Sequence, residues 1–146
     1  MKTEYTNLTI IEIMNLFKSL ENKELPCKVA HALVRNMDIF DKEYQYYIKS
    51  LTNLIKRFDK YVKCDECGEK KYHPSGLPVI VAEQSPNFLK ELGELLQLSV
   101  IIDVHTIDES ALFYDDDKYH SLTVKEISML RSLICEESPN LVDEKD

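Results

Sequence analysis

The apolar residues Ala30, Leu33, Met37, Phe40, Tyr44, Tyr47, Leu51, Leu54, Phe58 and Tyr61 follow one another at alternating spacings of three and four. No Gly or Pro interrupts the chain between Cys27 and Cys67. Such spacing holds side chains in one narrow stripe along a helix, and a second helix is what buries a stripe of that kind. It predicts a long helix over 26–62, opened by Pro26, whose missing donor has no role in a first helical turn. At 1.5 Å per residue that helix is ~55 Å long. A domain of this size is only about 40 Å across. The far half, Tyr44 to Tyr61, therefore needs a cover that the preceding segment is too short to supply. Ile48 and Ile55 widen the stripe there, so more than one neighbour can pack on it. The alternative is a break near Asp38 to Asp41, where Asp could cap a new helix.

The other elements complete an α+β reading. Thr9 and Glu12 have capping-box spacing, with Leu8 and Ile13 as the hydrophobic staple. Ile10, Ile13, Met14, Phe17 and Leu20 give the helix they open an apolar stripe that stops near Glu21 and Asn22. Lys63 to Ala82 reads as a β-hairpin, with turns at Cys64–Gly68 and at His73-Pro74-Ser75-Gly76 and a short strand over Val79 to Ala82. Ser85-Pro86 caps a helix from Phe88 to Gln97. Val100 to Ile107 alternates as a strand, with Ile102 and Val104 on one face and Asp103 and His105 on the other. Thr123 and Glu126 form another capping box, ahead of a helix carrying Ile127, Leu130, Leu133 and Ile134. The expected architecture is a long antiparallel helical hairpin with one extended helix (9–62), a small antiparallel β-sheet and two short C-terminal helices. One domain spans 1–135, and 136–146 is an acidic flexible tail.

Charge narrows the partners. Residues 1–100 carry 14 acids and 14 bases, whereas 101–146 carry 12 acids and 4 bases, which is the whole net charge of −8. Phosphate binding needs Lys and Arg, so direct nucleic-acid binding by the acidic third is not expected. An acidic face centred on Asp115, Asp116 and Asp117 suits a basic protein partner instead, the plain alternative being a solvated surface. No apolar run is long enough to span a membrane, and the first residues lack an apolar signal core, which points to the cytoplasm. In that compartment the four Cys are thiols or metal ligands and not disulfides.

Only one motif carries metal chemistry. Cys64-x-x-Cys67-Gly68 is the turn of a zinc knuckle, with His73 as a third ligand and Cys135 or His120 as a fourth. The alternative is a reduced, exposed turn. Cys27 and His31 also have ligand spacing, one turn apart on a helix. Asp103 and His105 could form an acid–base or metal pair. Asp115, Asp117 and Glu126 have the outer spacing of a calcium loop, but Tyr119 and His120 stand where a ligand and the turn Gly belong. No Gly-rich phosphate loop or nucleophile elbow is present, and no catalytic set is assigned. Phe40, Tyr44, Tyr46, Tyr47 and Leu51 form an aromatic cluster that would anchor a protein partner wherever the helix leaves it open.

Leu8 to Leu20, then Lys23-Glu24-Leu25-Pro26-Cys27-Lys28-Val29-Ala30 and a long helix, resemble small phage and prophage proteins of low-GC Gram-positive bacteria, a family of unknown function. Leu92 to Leu96, the strand Val100 to His105 and the helix after Thr123 follow that family's order. The Cys64–Gly68 turn departs from it, since that stretch is usually a polar turn there. The resemblance implies a phage origin and no known catalysis, and transfers no site residues. Together these readings predict a non-enzymatic, protein-binding module, most concretely an inhibitor of a host defence (CRISPR-like) nuclease. The alternatives are a virion assembly accessory that pairs with a second copy of itself through the stripe, and more remotely a small metal-dependent enzyme.

Overall fold

The computed structural model describes residues 1–58 and 68–135. Strand β1 (Lys2–Thr6) runs directly into helix α1 (Asn7–Leu20); helix α2 (Cys27–Arg57), helix α3 (Ser85–Gln97), strand β2 (Ser99–Asp103), a short 3-10 helix (Glu109–Leu112) and helix α4 (Val124–Ile134) follow. The class is α+β, as expected. The sheet, however, is built differently. β2 pairs antiparallel with β1, Lys2 opposite Asp103 and Thr6 opposite Ser99. The expected sheet partner, the segment before Ala82, contributes only isolated bridges such as Tyr72 with Pro78. Its turn is real: the His73 N–H donates to the Leu77 carbonyl at 2.7 Å, and Gly76 takes φ 89°, where a side chain would be strained. Val79 to Ala82 forms no extended strand: the Val79 N–H still donates to the Lys71 carbonyl at 2.9 Å, and Ile80 is buried in a hydrophobic cluster. Residues 63–67 of the expected hairpin lie outside the described residues.

Pairing of β1 moves the start of α1. Thr6 ends the strand in an extended conformation (φ −78°, ψ 160°), and its Oγ1 accepts the Thr9 N–H at 3.2 Å. Thr6 is therefore the N-cap and Thr9 lies in the first turn. Leu8 then falls on the exposed side, and the expected staple to Ile13 is lost. At α3 the N-cap is Gln84 and not Ser85, with Pro86 in the first turn as expected.

α2 runs unbroken through Asp38 to Asp41, so no second helix is capped there. Its 31 residues make a rod of roughly 46 Å. It ends earlier than expected: Phe58 leaves helical geometry (φ −108°, ψ 80°) and donates its N–H to Ile55 at 3.2 Å. The stripe divides in two. Leu33, Phe40, Tyr47 and Leu54, spaced by sevens, are buried; Ala30, Met37, Tyr44, Leu51 and Phe58 are half-buried. Two neighbours share it. α1 lies against the first half, where Val29, Ala32 and Asn36 are also buried, and α3 reaches the far end.

The main core joins Ile10, Ile13, Leu16, Phe17 and Leu20 of α1 to Val29, Ala32, Leu33 and Phe40 of α2, to Ile102 of β2 and Val104 just beyond it, and to Leu130, Leu133 and Ile134 of α4. A satellite cluster of Leu54, Ile80 and Phe88, flanked by Ile55, Phe58, Leu92 and Leu95, closes the far end of α2. Phe58 and Phe88 meet edge-on there, 5.5 Å between centroids. The cover that the stripe demanded thus comes from within the chain. Among the described residues no helix is long and apolar enough to cross a membrane.

Candidate interaction surface

The acidic loop is mounted on the turn between α1 and α2. The His120 N–H donates to the Glu24 carbonyl at 2.9 Å, and the His120 Nδ1 accepts the Glu24 N–H at 2.8 Å. One residue thus ties the end of the loop to the turn through both its backbone and its ring. The Tyr114 hydroxyl donates to the His120 carbonyl, and the Tyr114 and Tyr119 rings meet edge-on at 5.9 Å. Between these fixed points Asp115, Asp116 and Asp117 are exposed. The Asp116 carboxylate accepts the Lys118 N–H at 3.0 Å, which rounds the loop. Among the described residues none of the three aspartates is in an ion pair.

Beside the mount lies a partly buried charge pair. Glu126, only 7 % exposed, accepts the Lys23 ammonium at 2.7 Å and the Thr123 N–H at 2.8 Å on one oxygen, and its other oxygen lies 3.2 Å from the Ser19 hydroxyl, whose proton the Leu16 carbonyl at 2.7 Å also attracts. The Thr123 hydroxyl accepts the Glu126 N–H in return, so the expected capping box is complete. It also does something no local motif predicts: it joins α4 to the α1–α2 turn. Burial acts to raise the Glu126 carboxyl, but the Lys23 ammonium and the Thr123 groups together outweigh it and hold the carboxyl below the usual range. A depressed carboxyl stabilises the fold above its unfolded value of about 4.3 and stops doing so as pH falls through the folded value. Glu126→Gln should therefore melt well below the parent at pH 7, and the gap should close as pH falls below the unfolded value of about 4.3. Paired thermal melts above and below that value check it; a gap that stays constant contradicts the ion pair.

A cleft of about 680 Å³ opens between α1 and α4, lined by Glu12, Asn15, Leu16, Ser19, Lys125 and Met129 around the Glu126 network. A second hollow of about 320 Å³ adjoins it at Glu12, Leu16 and Met129 and extends to Tyr5 and Leu133. Lys23 and Thr123 hold one oxygen of Glu126 on the side of the cleft where α4 meets the α1–α2 turn.

The aromatic cluster is not one open surface. Phe40 is fully buried, edge-on to Tyr5 at 5.3 Å and to Phe17 at 5.8 Å, and Tyr47 is also buried. Neither can meet a partner. The reason is β1, which lays Tyr5 over Phe40. Burial, then the neighbouring Tyr44, pushes the Tyr47 hydroxyl up from its ordinary value. Tyr44 and Leu51 are half-buried, and Tyr46 is 54 % exposed with the Lys49 ammonium 5.8 Å from its ring centroid. Tyr46 lies about 28 Å along α2 from Cys27, while the acidic loop is tied at Glu24, so the two expected contact sets are not brought together.

The expected metal ligands are also dispersed. Cys64 and Cys67 lie outside the described residues. His73 is exposed at its turn. Cys135 is walled into the main core, where burial raises its thiol, and His120 is engaged by Glu24. Neither is free as the fourth ligand without breaking its present packing. Among the described residues no three His, Cys, Asp or Glu side chains converge on a metal position. Asp103 and His105 have separate partners: the Asp103 carboxylate accepts the Met1 amino group at 3.0 Å, and the His105 ring meets His31.

Sequence reasoning passed over Asn36. It is fully buried, and its side chain accepts the His105 N–H at 2.8 Å and donates to the His105 carbonyl at 2.9 Å. The only signal is its place on the Val29, Ala32, Phe40 side of α2, where an amide among apolar residues must find partners inside. No family model matches the chain, and no curated protein or solved structure matches it.

Proposed function

We propose that this chain is a non-enzymatic, phage-type protein that acts by binding another protein, most concretely as an inhibitor of a host defence nuclease of the CRISPR kind in the host cytoplasm. The observation that carries the reading is the mounted acidic loop: Asp115, Asp116 and Asp117 stand exposed and without ion pairs among the described residues, between anchors at Tyr114 and His120. Carboxylates held this way complement a Lys- and Arg-lined groove and compete there with phosphates. The concentration of the net charge of −8 beyond residue 100 adds a long-range attraction of the same sign.

The test is DNA cleavage by an RNA-guided nuclease under increasing amounts of the protein. Inhibition should weaken steeply as salt rises past about 0.1 M, where screening acts over about 10 Å. The triple variant Asp115→Asn, Asp116→Asn, Asp117→Asn should raise the half-inhibiting concentration roughly tenfold, at about 0.5 kcal/mol for each rim charge. Full cleavage in the presence of the parent protein, or equal inhibition by the triple variant, removes the proposal. The virion accessory working as a homodimer loses its main support, because Tyr47 and Leu54 of the stripe are covered by this chain's own residues.

A further inference from the structure

We infer that His31 and His105 form a binding site for a first-row transition-metal ion of the zinc or nickel type, which takes no ligand from Cys64 or Cys67 and is independent of the proposed inhibition. His31 is exposed on α2, and His105 is half-buried just beyond β2. Their ring centroids are 5.9 Å apart and their planes meet at 89°. An ion about 2.0–2.1 Å from one nitrogen of each ring stands about 3.2 Å from each centroid, so two imidazoles on one tetrahedral ion have centroids about 5.2 Å apart. The observed pair stands within about 1 Å of that separation, a gap that rotation of the exposed His31 ring closes. Neutral imidazole is the side chain best suited to zinc, nickel and copper.

The position of His105 is not left to a loose loop. Asn36, fully buried, grips both backbone polar groups of His105, at 2.8 Å and 2.9 Å. Asn36 is on the same helix as His31, five residues further along. The backbone carrying His105 is therefore fixed relative to the helix that carries His31. Only two side chains are supplied, since no group of three ligands converges among the described residues. Water fills the other positions, which makes the ion exchangeable and not a prerequisite for folding. Bound, it links α2 to the chain leaving β2, and a ligand held only by the folded state raises the melting temperature.

The experiment uses the full chain with Cys27, Cys64 and Cys67 changed to Ser, which removes every thiol but the buried Cys135. Zinc chloride and nickel chloride are titrated by calorimetry, and thermal melts are run with and without the ion. The expected result is one ion per chain and a metal-dependent rise in Tm. His31→Ala and His105→Ala should each weaken binding by about tenfold or more and abolish the rise in Tm. His73→Ala should change neither. Both test variants should melt close to the parent without metal, because His31 is exposed and Asn36 holds only the backbone of residue 105. Absence of binding, binding unchanged by His31→Ala or His105→Ala, or binding lost in His73→Ala would each overturn the inference.

Discussion

Phe40→Ala should cost about 3–5 kcal/mol, the range for emptying a fully buried aromatic site. The ring is completely inaccessible and touches Tyr5 of β1 and Phe17 of α1, both edge-on. Each aromatic pair adds about 0.5–1.5 kcal/mol beyond the area it buries, so the upper part of the range is expected. Total stability for a domain of this size is about 5–15 kcal/mol, and the loss should appear as a fall of roughly 10–20 °C in Tm. Tyr46→Ala, six residues along the same helix, is the control. Its ring is half in solvent, and its removal should leave Tm within about 2 °C. The two melts also separate the two roles expected of the aromatic cluster. A Phe40→Ala protein that melts with the parent would mean that this ring is not in the core and is open to a partner.

Asn36→Ala should cost about 2–5 kcal/mol, for a different reason. The side chain itself is small, but its removal leaves the N–H and the carbonyl of His105 without the partners that Asn36 supplies. Each unpaired buried group costs about 1–3 kcal/mol. Asn36→Leu restores volume and should not rescue the protein, because apolar atoms satisfy neither backbone group. Asn36→Asp separates the two bonds. It keeps an acceptor for the His105 N–H and, when ionised, sets a carboxylate against the His105 carbonyl. The folded state then favours the protonated acid, so its carboxyl is raised in the folded state. The destabilisation is present at neutral pH and disappears as pH falls below the unfolded value of about 3.9. Chemical denaturation of the three variants at pH 7 and near pH 4 checks this. Equal stability of Asn36→Leu and the parent would show that water, and not Asn36, satisfies His105.

Much of the helical content was legible because its signals are local. The absence of Gly and Pro after Pro26 and the spacing of the stripe carry α2 through Asp38 to Asp41, and the Thr123 and Glu126 box places α4 at its observed start. The turn at His73–Gly76 was legible for the same reason. β1 was not. Its five residues have no neighbour in sequence to pair with, and their partner is β2, roughly a hundred residues away. Without β1 the cap of α1 reads as Thr9 instead of Thr6, and nothing local shows that Tyr5 covers Phe40. The candidate surface was half legible. The exposure of Asp115, Asp116 and Asp117 follows from composition, but the His120–Glu24 tie, the Lys23–Glu126 pair and the cleft between α1 and α4 join segments that only folding brings together.

The sequence by itself determined that α2 would be long, that its stripe would require cover, and that negative charge would gather beyond residue 100. Periodicity, capping and charge are properties of neighbouring residues, and they act before any tertiary contact exists. The tertiary structure decided who supplies the cover. α1 and Tyr5 take the near half of the stripe, and α3 with Ile80 takes the far end. A stripe states how much apolar surface must leave water, but burial has no direction of its own. Which surface meets it is set by the lengths of the connections and the pairing of β1 with β2, and those are settled only when distant parts of the chain meet.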